Sequence, residues 1–529
     1  MNQLLDLNYN YSMLERIKFS KFRDSFKILK FNIKLILGKL SKTKYLWGFQ
    51  FKEYKESNEN KILIFAPSMS LDKPGFINVG LRNLIEEGKK KNIQFELLQC
   101  VSGLSICHLG GSPYNANNQL PCKSCVKTNS LLYKDLKISK LQNINISKNF
   151  DKFSNEELKN YEYKGINVGK KSLTTISWII RSSEILDHHR EYLINSIKSC
   201  IKIIDFLENF DIKSFSGVLV FNGLTLPESI MYEWCSKNNI NVATFESGWS
   251  IENEVALELN YSPSPQHLFT FDDRKLSERE NKKLKEYIEK KRISSTNFIS
   301  PTDKKIISIF GNVSWDTSQT VSSNVYESMY EWLDSLIPII NKNKDLLFVF
   351  RAHPGEYREI KKTWYGLEDW FRNNKSKIGK NAICYSAKDT VDSYQIIENS
   401  ELVLVYNSTI GIESIIFGTK AIAAANTHYT KIGFIESFES VTMYLENLEK
   451  TLFNKNFDLD FEKMNQASSY YFQLLSEVAY NFGEINQNLR FNEHTLVKNY
   501  QTDSFNIDKL DNTLISFLNR GPLEKKFNL

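Results

Sequence analysis

Three polar clusters stand directly behind three short apolar runs: Gly311-Asn-Val-Ser-Trp-Asp316, Arg351-Ala-His-Pro-Gly-Glu356 and Asn407-Ser-Thr-Ile-Gly-Ile-Glu413. Their residue types suit a phosphate ester, which needs N–H and O–H donors converging on one point. Asn407-Ser408-Thr409 reads as the end of a strand and the cap of a short helix closed by Gly418. The amides from Ser408 to Gly411, helped by the two hydroxyls, would then form an anion site at a helix N-terminus. His353 brings a ring donor to the same phosphate, and Pro354 fixes the turn that aims it. Glu413, one helical turn further on, is placed to accept hydrogen bonds from a ribose diol. Asn312, Arg351, Glu356 and Asn407 complete the donor-binding set, and Asp316 joins it as a holder of acceptor or cation. Taken singly, Ser408 and Thr409 could merely cap a helix while Glu413 and Asp316 lie on the surface. Three such clusters in succession favour a site.

Group transfer to a hydroxyl also needs a base. Glu246, at the end of an apolar run over 241–246, and Asp72, in the loop after the run 61–67, are the two carboxylates placed for it, with Glu246 favoured. The alternative for Glu246 is a structural carboxylate holding the Gly248-Trp249 turn. Four of the seven cysteines, Cys100, Cys107, Cys122 and Cys125, fall in one segment, with His108 beside Cys107. Such a set can enclose a structural Zn ion or, less readily, an iron–sulfur cluster. Buried free thiols are the alternative, because the gap between Cys107 and Cys122 follows no standard finger spacing. Of the histidines only His353 stands in a functional context; His188 and His189 fall in a charged helical segment.

The elements that must position these residues alternate between short apolar runs and helical patterns. Lys61 to Pro67, a helix over 78–92 and a run over 94–100 open a βαβ unit; runs at 217–222 and 241–246 flank a helix over 227–238. A second series follows at 305–310, 346–351, 382–386, 402–406 and 420–425. Apolar strands separated by helices imply parallel sheets covered on both faces, and such sheets bind ligands beyond the carboxyl ends of their strands. The predicted fold is therefore α/β, with two Rossmann-like doubly wound domains facing a cleft, a basic helical N-terminal arm and a helical C-terminal tail. The expected divisions are an arm over 1–60, an acceptor-side domain over 61–275 carrying the Cys-rich loop 100–125, a donor domain over 300–460 and a tail over 461–529. The charged, Ser-rich stretch 274–304 reads as the connection.

A chain of 529 residues with 41% hydrophobic and 25% charged residues is neither collagen-like nor wholly disordered. The net charge of +6 sits in residues 1–60, where twelve Lys/Arg face six Asp/Glu; the neutral remainder argues against a nucleic-acid partner. In the arm, Phe22, Phe26, Leu29, Ile33, Leu37 and Leu40 recur at helical spacing among Arg23, Lys27, Lys30, Lys34 and Lys39. That amphipathic helix, within residues 15–45, suits an anionic membrane surface, or else simply packs on the body. No apolar run reaches the roughly 18 residues of a membrane span, and no signal-peptide pattern opens the chain. A cytoplasmic location is expected, peripheral on the inner face of the cell membrane if the arm engages it.

Residues 215–435 resemble the capsular polysaccharide biosynthesis proteins, glycosyltransferases of the two-Rossmann-domain GT-B fold. The resemblance is carried by Phe221-Asn-Gly223, Thr244-Phe-Glu-Ser-Gly248, Asn312-Val-Ser-Trp-Asp316, Tyr330-Glu-Trp332, Arg351-Ala-His-Pro-Gly-Glu356, Asn407-Ser-Thr-Ile-Gly-Ile-Glu413 and Gly433-Phe434. It implies a nucleotide-sugar donor, its base open and a CMP-linked sugar among the choices, with His353, Ser408, Thr409 and Glu413 gripping phosphate and ribose. It also implies a surface polysaccharide or its lipid-linked precursor as acceptor. The His-Pro and Ser-Thr-Gly-Glu elements occur as well in teichoic-acid glycerophosphotransferases, so a glycerophosphotransferase is the enzymatic alternative. A catalytically silent nucleotide-binding subunit of a capsule assembly complex is the non-enzymatic one.

Overall fold

The structure, a computed structural model, describes residues 60–67, 76–109, 111, 116, 122–141, 146, 148–251, 254–263, 271–292, 296–322, 325–357, 362–478, 480–484, 514 and 517–519. The basic arm and Asp72 lie outside the described residues. The strands are β1 (Asn60–Phe65), β2 (Ile93–Cys100), β3 (Lys137–Leu141), β4 (Glu162–Tyr163), β5 (Ile166–Asn167), β6 (Gly217–Phe221), β7 (Val242–Ser247) and β8 (Glu254–Asn260) in the first half. The second half holds β9 (Ile306–Phe310), β10 (Leu347–Arg351), β11 (Ala382–Tyr385), β12 (Ser400–Val405) and β13 (Lys420–Ala423), and β14 (Tyr480–Glu484) closes the series.

These strands form two doubly wound sheets and a small β4–β5 hairpin. The first sheet has the order β14-β8-β7-β6-β1-β2-β3, parallel from β7 to β3, with β8 and β14 antiparallel at one edge. The second is wholly parallel, in the order β11-β10-β9-β12-β13. In each, the first strand in sequence stands in the middle and the chain winds outward to both sides. The order therefore reverses between β1 and β6 and between β9 and β12, the two crevices where open sheets of this kind receive ligands.

Alternation along each strand explains why both faces are covered. Ile306 and Phe310 of β9 enter one core with Val403 and Val405 of β12, while Ile307 and Ile309 enter the opposite core with Leu402 and Leu404. The first sheet divides likewise, Leu63 and Phe65 to one face and Ile62 and Ile64 to the other. Among the described residues, no helix is long and apolar enough to cross a membrane.

Two segments depart from the sequence reading. The charged connection contains the helix Glu278–Lys291, opened by a Ser277/Glu280 capping box, and its Leu284 and Ile288 are buried in the second domain's core. Charge outnumbers these two apolar residues, which hid the amphipathic stripe. The tail is not purely helical: Phe461–Glu477 packs Tyr470, Tyr471, Leu474 and Leu475 into the second domain, and β14 then pairs with β8 of the first. Farther on, Leu514 and Phe517 are buried in the first domain's core. The tail thus ties the two domains, with the Ile251 amide donating to the Leu475 carbonyl at 3.0 Å and the Asp272 amide to Gln473 Oε1 at 3.0 Å.

Candidate active site

At the second crevice, Asn312 follows β9 and Asn407 follows β12. Asn312 Nδ2 donates to Asn407 Oδ1 at 2.8 Å, Gln319 Nε2 donates to the same oxygen at 2.9 Å, and Asn312 Oδ1 accepts from the Val313 amide at 2.7 Å. This asparagine pair links the two strand ends at the topological switch. Asp316 caps the helix Thr317–Ser322, its Oδ1 accepting from the Ser318 amide at 3.0 Å. His353 follows β10 and accepts the Gly355 amide on Nδ1 at 2.9 Å, so the ring proton resides on Nε2, which becomes the donor. Gly355 is required there, because a Cβ would approach His353 Nδ1 to 2.7 Å.

The helix Ile410–Ile416 begins as expected after Ser408-Thr409, but its amides are largely spoken for. Ile410 donates to Ser408 Oγ at 3.3 Å, Gly411 to the Ser408 carbonyl at 3.1 Å, and Ile412 and Glu413 to the Thr409 carbonyl at 3.0 and 3.1 Å. Among the described residues none accepts from the amides of Ser408 and Thr409, which leaves those two for a ligand. Gly411 serves packing: a Cβ would meet Ile435, the Tyr429 hydroxyl and Val405 at 3.0 to 3.1 Å.

Three residues expected to touch the donor are parts of the scaffold instead. Arg351 is buried and gives its guanidinium to the Ser386 and Asp389 carbonyls and to Ser393 Oγ, pinning the loop behind β11. Glu356 is buried behind the Leu367 amide at 3.3 Å; burial, with Asp369 and Glu368 nearby, pushes its carboxyl up to about 8. Glu413, 2% exposed, is held by its own chain: Oε1 accepts from Lys291 Nζ at 3.0 Å and the Tyr471 hydroxyl at 2.8 Å, and Oε2 from the Tyr394 hydroxyl at 3.0 Å. Three of its roughly four acceptor sites are taken by its own chain and the group is enclosed, so it faces the scaffold and not a ribose diol. It fastens the helices Glu278–Lys291, Ser393–Glu398 and Phe461–Glu477 to the helix that carries it.

On the first sheet, Glu246 lies in β7 beside Asn222, the residue after β6. Its Oε2 accepts from Asn222 Nδ2 at 2.6 Å, and its Oε1 accepts from the Ser247 amide at 3.0 Å and hydroxyl at 3.1 Å. Burial raises its carboxyl above the ordinary range despite these donors, and Glu258, its partner on β8, adds to the rise. Asn222 adopts φ +57°, a left-handed bend that asparagine tolerates. The loop after β7 then meets the second domain, where Trp249 packs edge-on to His428 at 5.8 Å between centroids.

A further set of side chains on the first domain faces the second, and no motif marks it. Arg181 follows the helix Val168–Ile180 at φ +61°, and its carbonyl accepts the Trp364 amide at 3.0 Å. Its guanidinium carbon lies 3.9 Å from the Trp178 ring centre and 4.4 Å from that of Trp315, in the loop after β9. His108, behind β2, stacks edge-on to Trp178 at 5.2 Å. The bare spacing Trp178-x-x-Arg181 is too short a signal to have found it; the second indole comes from a different domain.

The four clustered cysteines are free thiols that influence one another electrostatically. Burial pushes Cys100 up to about 11 and Cys125 up to about 12 and raises Cys107, with neighbouring thiols and Glu228 adding to each. Among the described residues no group of three or more His, Cys, Asp or Glu is arranged to hold a metal ion, so the expected knot has no ligand set in this geometry.

No protein-family model matches the sequence, and no curated protein matches it. Several solved structures are similar to it. Thermosulfurimonas dismutans KpsC, a beta Kdo 2,7 transferase, shares 16% identity over 54% of this chain and 84% of its own, with a TM-score of 0.30. The UDP-GlcNAc 2-epimerase from Neisseria meningitidis bound to UDP-GlcNAc shares 13% over 79% and 99%, with a TM-score of 0.24. MurG from Acinetobacter baumannii shares 8% over 79% and 96%, with a TM-score of 0.25. The fold class itself follows from strand order: two Rossmann-like sheets in one chain, the GT-B arrangement.

Proposed function

We propose that the chain is a glycosyltransferase that moves a sugar from a nucleotide donor, held on the second domain, to a hydroxyl presented from the first. The observation that carries this reading is the pairing of two unlike strand-end clusters. One offers N–H donors, the amides of Ser408 and Thr409 beside the Asn312–Asn407 pair, with the His353 ring at the adjacent strand end. The other offers a carboxyl, Glu246, with raised proton affinity.

In the transfer, the acceptor oxygen bonds to the anomeric carbon as that carbon's bond to the donor phosphate oxygen breaks. Glu246 takes the acceptor's proton, and the charge released on the phosphate is met by His353 and the two amides. A carboxylate whose pKa is raised toward neutrality is the stronger base for that step. The acceptor proposed is a surface polysaccharide or its lipid-linked precursor, and CMP-, UDP- and GDP-sugars are the donors to compare. The test is release of free nucleotide from each donor, with and without an oligosaccharide acceptor. Release from one donor that is lost in Glu246→Gln supports the reading. No release from any donor, including donors that stabilise the protein, overturns it in favour of a binding subunit without chemistry.

A further inference from the structure

Arg181 is anomalous for a guanidinium held between two domains. It carries five N–H groups in a fixed fork, and among the described residues none is accepted by any carboxylate, carbonyl or hydroxyl. Nη1 is fully enclosed. Burial draws its pKa down to about 10, which still leaves it charged at neutral pH, and among the described residues no acid is paired with it. Among the described residues its guanidinium meets the faces of Trp178 and Trp315, which hold the plane in place without using the N–H groups. The Trp315 indole is itself fixed, its Nε1 donating to Thr363 Oγ1 at 3.0 Å.

Two more polar atoms nearby are enclosed and without partners. Ser183 Oγ, two residues after Arg181, is one; His108 Nδ1 is the other. Burial holds the His108 imidazole near pKa 4, with Arg181 lowering it further against the pull of the Leu226 carbonyl, so the ring is neutral at physiological pH. Its hydrogen bond to that carbonyl places the proton on Nε2 and leaves Nδ1 as an acceptor. A cationic fork between two indoles thus has an imidazole acceptor against one of them, and an unpartnered serine hydroxyl two residues along the chain.

We propose that Arg181, with Ser183 and His108, forms an oxyanion-binding site in the cleft that takes a phosphate or carboxylate of the ligand. The fork matches either group bidentately, and His108 Nδ1 accepts from a neighbouring ligand hydroxyl. The inference rests on the transferase reading only for the two sources of that oxyanion: the donor's phosphate, or an acidic group on the acceptor saccharide.

Thermal unfolding of the full chain distinguishes them, with CMP and UDP as donor probes, glucuronate as acceptor probe and glucose as the neutral control. The expected result is stabilisation by at least one anionic probe and none by glucose, with apparent affinity falling about tenfold to a hundredfold in Arg181→Gln. Loss confined to the nucleotides assigns the site to the donor phosphate; loss confined to glucuronate assigns it to the acceptor. Arg181→Lys, which keeps the charge but not the fork, is read in the same way and stands in if the glutamine variant does not fold. Affinities for every anionic probe that are unchanged in both variants overturn the proposal. Failure of the transferase reading would be seen separately, as wild-type protein that binds but releases no nucleotide from any sugar donor.

Discussion

Two arginines distinguish the two halves of the cleft. Arg351, at the end of β10, is buried and hands its N–H groups to two loop carbonyls and a serine. Arg181, on the first domain, is buried against two indoles and hands its N–H groups to nothing among the described residues. The first sits in a motif and the second in none. The two carboxylates differ in another way: each accepts three hydrogen bonds from its own chain, but Glu413 draws its donors from three other helices, whereas Glu246 draws them from Asn222 and the adjacent Ser247 at the strand ends and has its proton affinity raised by burial. Between the two arginines, N–H groups spent within the chain mark architecture, and N–H groups left over mark a place for a ligand. That distinction depends on which groups the fold brings together, and motif spacing does not reveal it.

The largest effect that would sharpen the contrast belongs to Glu246→Gln. Transfer should fall by about a hundredfold to ten-thousandfold, the usual weight of a general base, with nucleotide affinity unchanged in a binding titration. Retained transfer would remove Glu246 from the chemistry. Glu413→Ala should instead act on stability, costing about 3 kcal/mol in chemical denaturation because it strands Lys291 and the two tyrosine hydroxyls. Nucleotide affinity of the folded variant should hold; a stable variant that no longer binds nucleotide would return Glu413 to the ribose. Gly411→Ala should cost about 1 to 3 kcal/mol through contact with Tyr429, Ile435 and Val405, seen as a lowered denaturation midpoint.

The smallest effect per unit of condition concerns Glu356. Its carboxyl titrates near 8 in the folded chain against an ordinary 4.5, so between those values the native state keeps a proton that the unfolded chain has released. Stability should therefore fall as pH rises through that window, by up to about 1.4 kcal/mol per pH unit, and Glu356→Gln should flatten the slope. Parallel pH profiles for the two proteins would show that Glu356 is not held neutral.

Much of the scaffold was legible because a buried parallel strand announces itself as a short apolar run. Ile306–Phe310 and Leu347–Arg351 are of that kind, and so are the strand ends that carry Asn312 and His353. The edge strands of the first sheet were not legible. Lys137–Leu141 carries lysines on a half-exposed border, and Tyr480–Glu484, with its Asn and Gly, gains order by pairing with β8 from far along the chain. In the site, types and spacing pointed to Asn312, Asn407 and His353, which the fold sets at neighbouring strand ends, but gave no sign that Arg351, Glu356 and Glu413 are held by loops and helices that sequence does not bring together. Arg181 was invisible for the same reason: its second tryptophan comes from the other domain.

The central claim is that a nucleotide's phosphate lies at the second crevice, and thermal stability against CMP, CDP, UDP, GDP and ADP tests it most directly. A ligand at a hundred times its dissociation constant adds about 2.7 kcal/mol to the native state. The account predicts a rise selective for one base, lost in His353→Ala while the unliganded variant melts near the parent. An equal rise in His353→Ala, or no rise with any nucleotide, would contradict it.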